Sequence, residues 1–379
     1  MRDCEKSGSM TMHIRLLAAE FPPISYAGLA TYSHNVAQHL KRNNSLEVSV
    51  LVNHYPMTPY VSNLNYVCTE IRKIAQLRKT ERIDVVYAIT FRPEFLLVGL
   101  YAKTLGIPFV AHGVGLDVYS RNPLFVHARK LTYSISERLV CGASFQKEMI
   151  SNEGAPREKV HVVLGGVDAE VFQPMHNDRH NFRLKFNVED KFVLLSLGRL
   201  VRRKGFKDAV KALAHLSDID DIVLFIVGEG PETPSLEKQV QDLSLHEKVK
   251  FLGFVPTCDL PTIYNAADLF VAPFKAIGKD MEGTPLVIQE ALSCGIPVVS
   301  TNTAGVPELI EDGKNGFTVD VSSPQRIAEK IRMLYEDPKL RAKMAIEARK
   351  RAQELLDWKV AVGKTERVLS EALASTKKR

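Results

Sequence analysis

The chain is poor in cysteine and offers no pairing pattern for it. Cys4, Cys68, Cys141, Cys258 and Cys294 are scattered along 379 residues without a CxxC pair. That spacing excludes a zinc ribbon or a disulfide framework as the basis of the fold, and it fits a reducing, cytoplasmic compartment. No apolar run approaches the roughly 18 residues of a membrane span. The opening MRDCEKSGSMTM lacks the apolar centre of a secretory leader, and residues 1–12 read as a loose tail. Low-complexity segments and short-period repeats are absent. Charge of one sign is not in large excess: a net +6 permits an anionic ligand and does not call for nucleic acid. Tryptophan occurs once, at Trp358.

What the chain does have is alternation. Short apolar runs, at 14–19, 48–52, 85–88, 108–111, 139–141 and 160–164, are separated by segments of helical period. After Gly165-Gly166-Val167-Asp168 and Pro174 the alternation restarts, with strands expected at 192–197, 222–227, 249–252, 269–272 and 317–319. The expected organisation is therefore α/β in two domains. The first covers 13–175, the second 176–356, and a last helix covers 357–379. The basic segment 71–82, with Arg72, Lys73, Arg78, Lys79 and Arg82, is a solvated face or a membrane-surface contact.

The densest chemistry lies between Glu282 and Val299, EGTPLVIQEALSCGIPVV. Pro285 suits the first turn of a helix and Gly295 its end, which puts Glu282 just before the helix and Glu290 about two turns along it. A helix start approached by Gly283 and Thr284 offers free amides and positive dipole to an anion. Glu290 could then hold a hydroxyl pair of a ribose. A solvated helix that happens to carry glutamate would show the same pattern. Upstream, Arg199 ends one strand and Lys204 precedes Gly205 and a helix, a fork and a point charge suited to a diphosphate. Their neighbours Arg202 and Arg203 read as solvated. Gly228 and Gly230, and Gly253 near Val255, lie at strand ends where a flat base could rest on main-chain amides. His112 stands at the end of another strand, as a ligand group or as a satisfied structural histidine. Gly28 lies in a strand–loop–helix unit, SYAGLATY, too far from GxGxxG to support a dinucleotide-dependent oxidoreductase.

Together these residues resemble the retaining family-four glycosyltransferases of the GT-B fold, the glycosyl transferases group 1. The resemblance covers nearly the whole chain. It rests on the E-x7-E element EGTPLVIQE, on GRLVRRKG from Gly198 to Gly205, on LGGVDAEVFQP from Leu164, on VGEGPE, and on HGVGLD from His112 to Asp117. It implies two facing Rossmann-like, doubly wound domains with a cleft between them. It implies transfer of a hexose-type sugar from a nucleotide diphosphate donor to an acceptor hydroxyl, with retention. No acidic cluster such as DxD sits at a strand end in the motif region, so neither a metal nor another cofactor is expected. A UDP-sugar is the favoured donor, and a GDP-sugar the alternative.

Residue by residue, the resemblance places Arg199 and Lys204 on the diphosphate and Gly28 beneath it. Glu290 falls on the ribose, and Glu282 with the amides of Gly283, Thr284 and Leu286 on the donor sugar. His112 lies against that sugar. The acceptor, a glycan, lipid-linked or small molecule, would be read by loops near 53–70 and 113–125. The last helix would cross back to the first domain, starting near Trp358. Two departures stand out: Ala27 precedes Gly28 where paired glycines are common, and EGTP replaces EGFG, so that Pro285 removes an amide donor. A sugar-nucleotide epimerase and a non-catalytic sugar-nucleotide-binding protein are the alternatives on the same fold.

Overall fold

The computed structural model describes residues 11–18, 28–43, 45–52, 68–69, 71–72, 74–76, 82–278 and 281–377. Ala27, most of the loop 53–70, and Lys73, Arg78 and Lys79 lie outside the described residues. The chain forms two compact units. Unit 1 is Met1–Val163 with Ala361–Arg379, and unit 2 is Leu164–Val360.

Unit 1 holds a six-stranded sheet in the order β2-β1-β3-β4-β5-β6, every pair parallel. Its strands are β1 (Met12–Ala18), β2 (Leu46–Val52), β3 (Val85–Ile89), β4 (Phe109–Gly113), β5 (Arg138–Cys141) and β6 (Val160–Val162). All five residues of VVYAI in β3 are buried, as are all five of β4. Continuous apolar runs of this kind belong to parallel strands covered by helices on both faces.

Unit 2 repeats the plan. Its strands are β7 (Phe192–Leu197), β8 (Ile222–Val227), β9 (Val249–Gly253), β10 (Leu269–Ala272), β11 (Val298–Thr301) and β12 (Gly316–Val319), in the order β12-β11-β10-β7-β8-β9. Two apolar clusters sandwich the sheet. Leu194, Leu224 and Ile226 pack on helices Phe206–Ala214 and Pro324–Glu336. Val193, Leu195 and Phe225 face the other side with Ile288 and Leu292. Both units are thus Rossmann-like and doubly wound, as the alternation leads one to expect.

Winding direction fixes where ligands fit. In unit 2 the chain moves outward from β7 through β8 to β9, then returns to the other side of β7 with β10. The crevice of such a sheet opens at the carboxyl ends of the two strands flanking the reversal, here β7 and β10. In unit 1 the reversal lies between β1 and β3.

The linker is short and held within unit 2. The Val167 amide donates to the Leu356 carbonyl at 2.8 Å, and the Trp358 amide to the Val167 carbonyl at 3.1 Å. Gly166 leaves room for the Trp358 indole, since a Cβ there would come within 2.1 Å of it. Helix Trp358–Lys377 begins here and joins unit 1 from Ala361 onward, where Glu366 accepts from Asn43 and Ser45.

Candidate functional site

The loops leaving β7 and β10 meet at the reversal in unit 2. After β7 come Gly198 and Arg199, a turn at Arg202–Lys204, and Gly205 with φ 72°. A Cβ on Gly205 would lie 1.8 Å from the Pro273 carbonyl oxygen, so only glycine lets the two loops close on each other. The Lys275 amide completes the seam by donating to the Arg203 carbonyl at 2.8 Å.

This closure gathers charge. Lys204 Nζ lies 3.1 Å from Glu282 Oε1 and 4.9 Å from the centre of the Phe274 ring. Arg203 Nε donates to the same Glu282 oxygen at 2.7 Å. Arg203 is therefore paired, contrary to its reading as solvated, while Arg202 is exposed as expected. Burial pushes the Glu282 carboxyl up, but Lys204 and then Arg203 outweigh it and hold the carboxyl below its ordinary range. Arg199 is exposed at the carboxyl end of β7 and makes no ion pair among the described residues.

The helix beyond Glu282 runs from Leu286 to Ser293, with Pro285 at its cap in extended conformation (φ −61°, ψ 119°) rather than inside its first turn. Missing the amide at Pro285 costs the helix nothing there, and Leu286 and Val287 begin it with amides that have no intrahelical acceptor. Glu290 falls little more than one turn from this start, nearer than the two turns expected. Its Oε2 accepts from the Tyr264 hydroxyl at 2.7 Å. Burial raises the Glu290 carboxyl above its ordinary value, opposed by the Tyr264 bond and by the charge of Lys204. Lys204, Glu282, Glu290 and the helix start thus form one neighbourhood.

Gly228 and Gly230 serve a nearby contact. A Cβ on either would strike backbone oxygen, of Gly198 at 2.1 Å and of Leu200 at 2.3 Å. Their bareness lets the loop after β8 lie against the loop after β7, tied by Leu200 to Glu229 at 2.9 Å and Glu232 to Leu200 at 3.0 Å. Val255, past the end of β9, is half-buried beside the exposed Phe254. It borders a groove of about 730 Å³ with Phe182, Phe251 and Ile263.

In unit 1, His112 ends β4 and is buried. Its Nδ1 lies 2.7 Å from the Tyr87 hydroxyl and its Nε2 3.4 Å from the Tyr32 hydroxyl. Burial pulls the imidazole down to about 3 and drives both phenols up, so all three stay neutral. Asp117 organises the loop beyond it, accepting from the amides of Gly115 at 2.7 Å and Phe91 at 2.9 Å. Gly28 opens helix Gly28–Lys41. Sequence reasoning did not single out Tyr32, Tyr87, Arg203 or Tyr264, whose partners lie far along the chain. Among the described residues, no three His, Cys, Asp or Glu side chains are grouped to share a metal ion, and no helix is long and apolar enough to cross a membrane.

Comparison with known proteins covers both units. Residues 178–351 match the family described as glycosyl transferases group 1, and residues 26–171 match glycosyltransferase family 4. The chain is 34% identical, over 54% of either protein, to the GDP-mannose-dependent alpha-(1-6)-phosphatidylinositol monomannoside mannosyltransferase of Mycolicibacterium smegmatis. It spans about half the length of the mycobacterial relatives it matches. It is 26% identical to an uncharacterized glycosyltransferase of Methanocaldococcus jannaschii, over 92% of this chain and 95% of that one. Among solved structures, Anabaena HepE in complex with UDP shares the fold, with a TM-score of 0.78 at 23% identity over 95% of this chain and 100% of that one.

Proposed function

This chain belongs to the glycosyl transferases group 1 family, and from that premise we propose that it moves a hexose-type sugar from a nucleotide diphosphate donor to an acceptor hydroxyl, with retention and without a metal. The observation that carries the reading is the neighbourhood at the β7/β10 reversal: a cation, two carboxylates and a helix start where such sheets bind nucleotides.

Each group has a task. Charge grows on the diphosphate as the sugar leaves, and Lys204, Arg199 and the positive dipole end of helix Leu286–Ser293 stabilise it there. Lys204 exchanges Glu282 for phosphate when the donor arrives. Glu290 accepts from the ribose hydroxyls, and Gly228, Gly230 and Val255 border the base. Glu282 and the amides of Gly283, Thr284 and Leu286 hold the sugar; in unit 1, His112 is proposed as a sugar ligand and Gly28 as a diphosphate ligand. The acceptor oxygen bonds to the anomeric carbon as the bond to phosphate breaks, and the acceptor proton passes to the departing diphosphate. The names of relatives support either base: one is GDP-mannose-dependent, and HepE was solved with UDP. The first of these names, with its phosphatidylinositol monomannoside, also supports a lipid-linked acceptor beside a glycan one, and our reading places the reaction in the cytoplasm or at the inner membrane face. No observation favours an epimerase or a non-catalytic binding protein.

A panel of UDP- and GDP-sugars in a thermal-shift assay tests this, because a ligand bound only by the folded state raises the melting temperature. One sugar nucleotide should stabilise the wild type and fail to stabilise Lys204→Ala. Turnover with it should persist in excess EDTA. A loss restored by magnesium would overturn the metal-free reading, and stabilisation of both proteins alike would remove Lys204 from the site.

A further inference from the structure

We infer that Tyr87 fixes His112 in a single neutral tautomer, with the proton on Nε2, so that the histidine acts as a hydrogen-bond donor and not as a base. The inference rests on the reading that His112 meets the donor sugar, and it makes Tyr87 a positioning residue for that contact.

The argument is one of accounting for protons. Tyr87 lies on β3 and is wholly buried. The β3–β4 register sets it opposite Val110, two residues before His112. Its hydroxyl has one polar neighbour among the described residues, His112 Nδ1 at 2.7 Å. A buried phenol must place its proton on an acceptor. Among the described residues that acceptor is Nδ1, which therefore carries a lone pair. A neutral imidazole with a bare Nδ1 bears its proton on Nε2. The opposite tautomer would point Nδ1–H at the phenol oxygen and leave the phenol's own proton without an acceptor among the described residues.

The two sides of the ring are not held equally. The Tyr87 contact is short, whereas Tyr32 stands 3.4 Å from Nε2, at the long limit of a hydrogen bond, with its ring edge-on to the imidazole. The Nε2–H is thus the loosely held donor, ready to exchange Tyr32 for a sugar oxygen. Burial keeps the ring uncharged across the physiological range, so the donor stays a neutral N–H. A hydroxyl or ring oxygen of a sugar is the ligand chemistry that such a donor recognises. A substrate proton finds no base here.

The test is a long-range proton–nitrogen correlation spectrum of the full chain labelled with ¹⁵N-histidine, with the His112 signals identified by their loss in His112→Gln. The expected wild-type spectrum shows a single tautomer protonated at Nε2, unchanged between pH 6 and pH 8. Protonation at Nδ1, or a charged ring, overturns the inference whatever the activity. In Tyr87→Phe the same signals should become those of a tautomer mixture, and kcat for sugar transfer should fall about tenfold while affinity for the free nucleoside diphosphate holds. A Tyr87→Phe protein that keeps both the Nε2 tautomer and kcat would show that Tyr87 does not set the ring. An Nε2 tautomer in a wild type that turns over no sugar nucleotide would leave the proton assignment standing and remove the proposed function.

Discussion

Replacing Glu282 by glutamine should tighten the binding of a bare nucleoside diphosphate while slowing transfer from the intact donor. Glu282 occupies Lys204, a cation assigned to the diphosphate, at 3.1 Å, and it is also held by Arg203 at 2.7 Å. The pair is shielded, with 12% of the Glu282 side chain and 11% of that of Lys204 exposed. At an effective dielectric of about 20, unit charges 3.1 Å apart attract by about 5 kcal/mol, and desolvation offsets much of this. A charge-assisted hydrogen bond nets about 1.5–3 kcal/mol. An incoming diphosphate must give up about that much to displace the carboxylate, so its removal should lower the dissociation constant of UDP or GDP about 10- to 100-fold. The same carboxylate is assigned to the donor sugar, so kcat/KM for the sugar nucleotide should fall. Calorimetry with the free diphosphate and steady-state kinetics with the sugar nucleotide separate the two effects. Weaker or unchanged diphosphate binding in a folded Glu282→Gln protein would refute the reasoning, because it would mean that Lys204 does not exchange one anion for the other.

Three further outcomes are expected. Glu290→Gln should weaken donor binding by about 1.5–3 kcal/mol in calorimetry. Because burial raises the Glu290 carboxyl, wild-type affinity should fade on acidification from a pH above the ordinary carboxylate range; loss of this fading in Glu290→Gln would tie it to that group, and its persistence would assign it elsewhere. Gly205→Ala should cost about 2–4 kcal/mol in urea unfolding, from the left-handed backbone at φ 72° and the Cβ 1.8 Å from Pro273 oxygen; a loss under about 0.5 kcal/mol would show that the seam yields.

The sheets were legible because each strand is an apolar run bounded by turn residues, and burial on both faces writes that run into the sequence. Helix His176–Lys185 was not legible. Its sequence HNDRHNFRLK has almost no apolar stripe, and it is held instead by ion pairs, Arg179 and Arg183 both reaching Asp268 at 2.6 and 2.5 Å. Helix Leu260–Ala266 was missed because two prolines flank or enter a segment too short to show a period. At the site, Glu282, Glu290 and Lys204 were legible from their spacing around a helix and a glycine. Their partners were not: Arg203 meets Glu282 across 79 positions of chain and Tyr87 meets His112 across 25. Only the strand order brings these pairs together, and local periodicity carries no record of it.

The split composition of unit 1 has a consequence for how the protein is made. Its sheet is encoded before Leu164, yet Val362, Val368, Leu369 and Ala372, which are buried when the unit is complete, are encoded after Val360. A ribosome adding about 5–20 residues per second takes about 10–40 s to cross the intervening 197 residues of 164–360. Unit 2, continuous in sequence, can close during that interval. The nascent first sheet must wait through it with the seat of the helix uncovered, a window for chaperones to bind or for neighbouring chains to associate wrongly. Slow codons within 164–360 would lengthen that wait, and a circular permutant starting at Ala361 would abolish it.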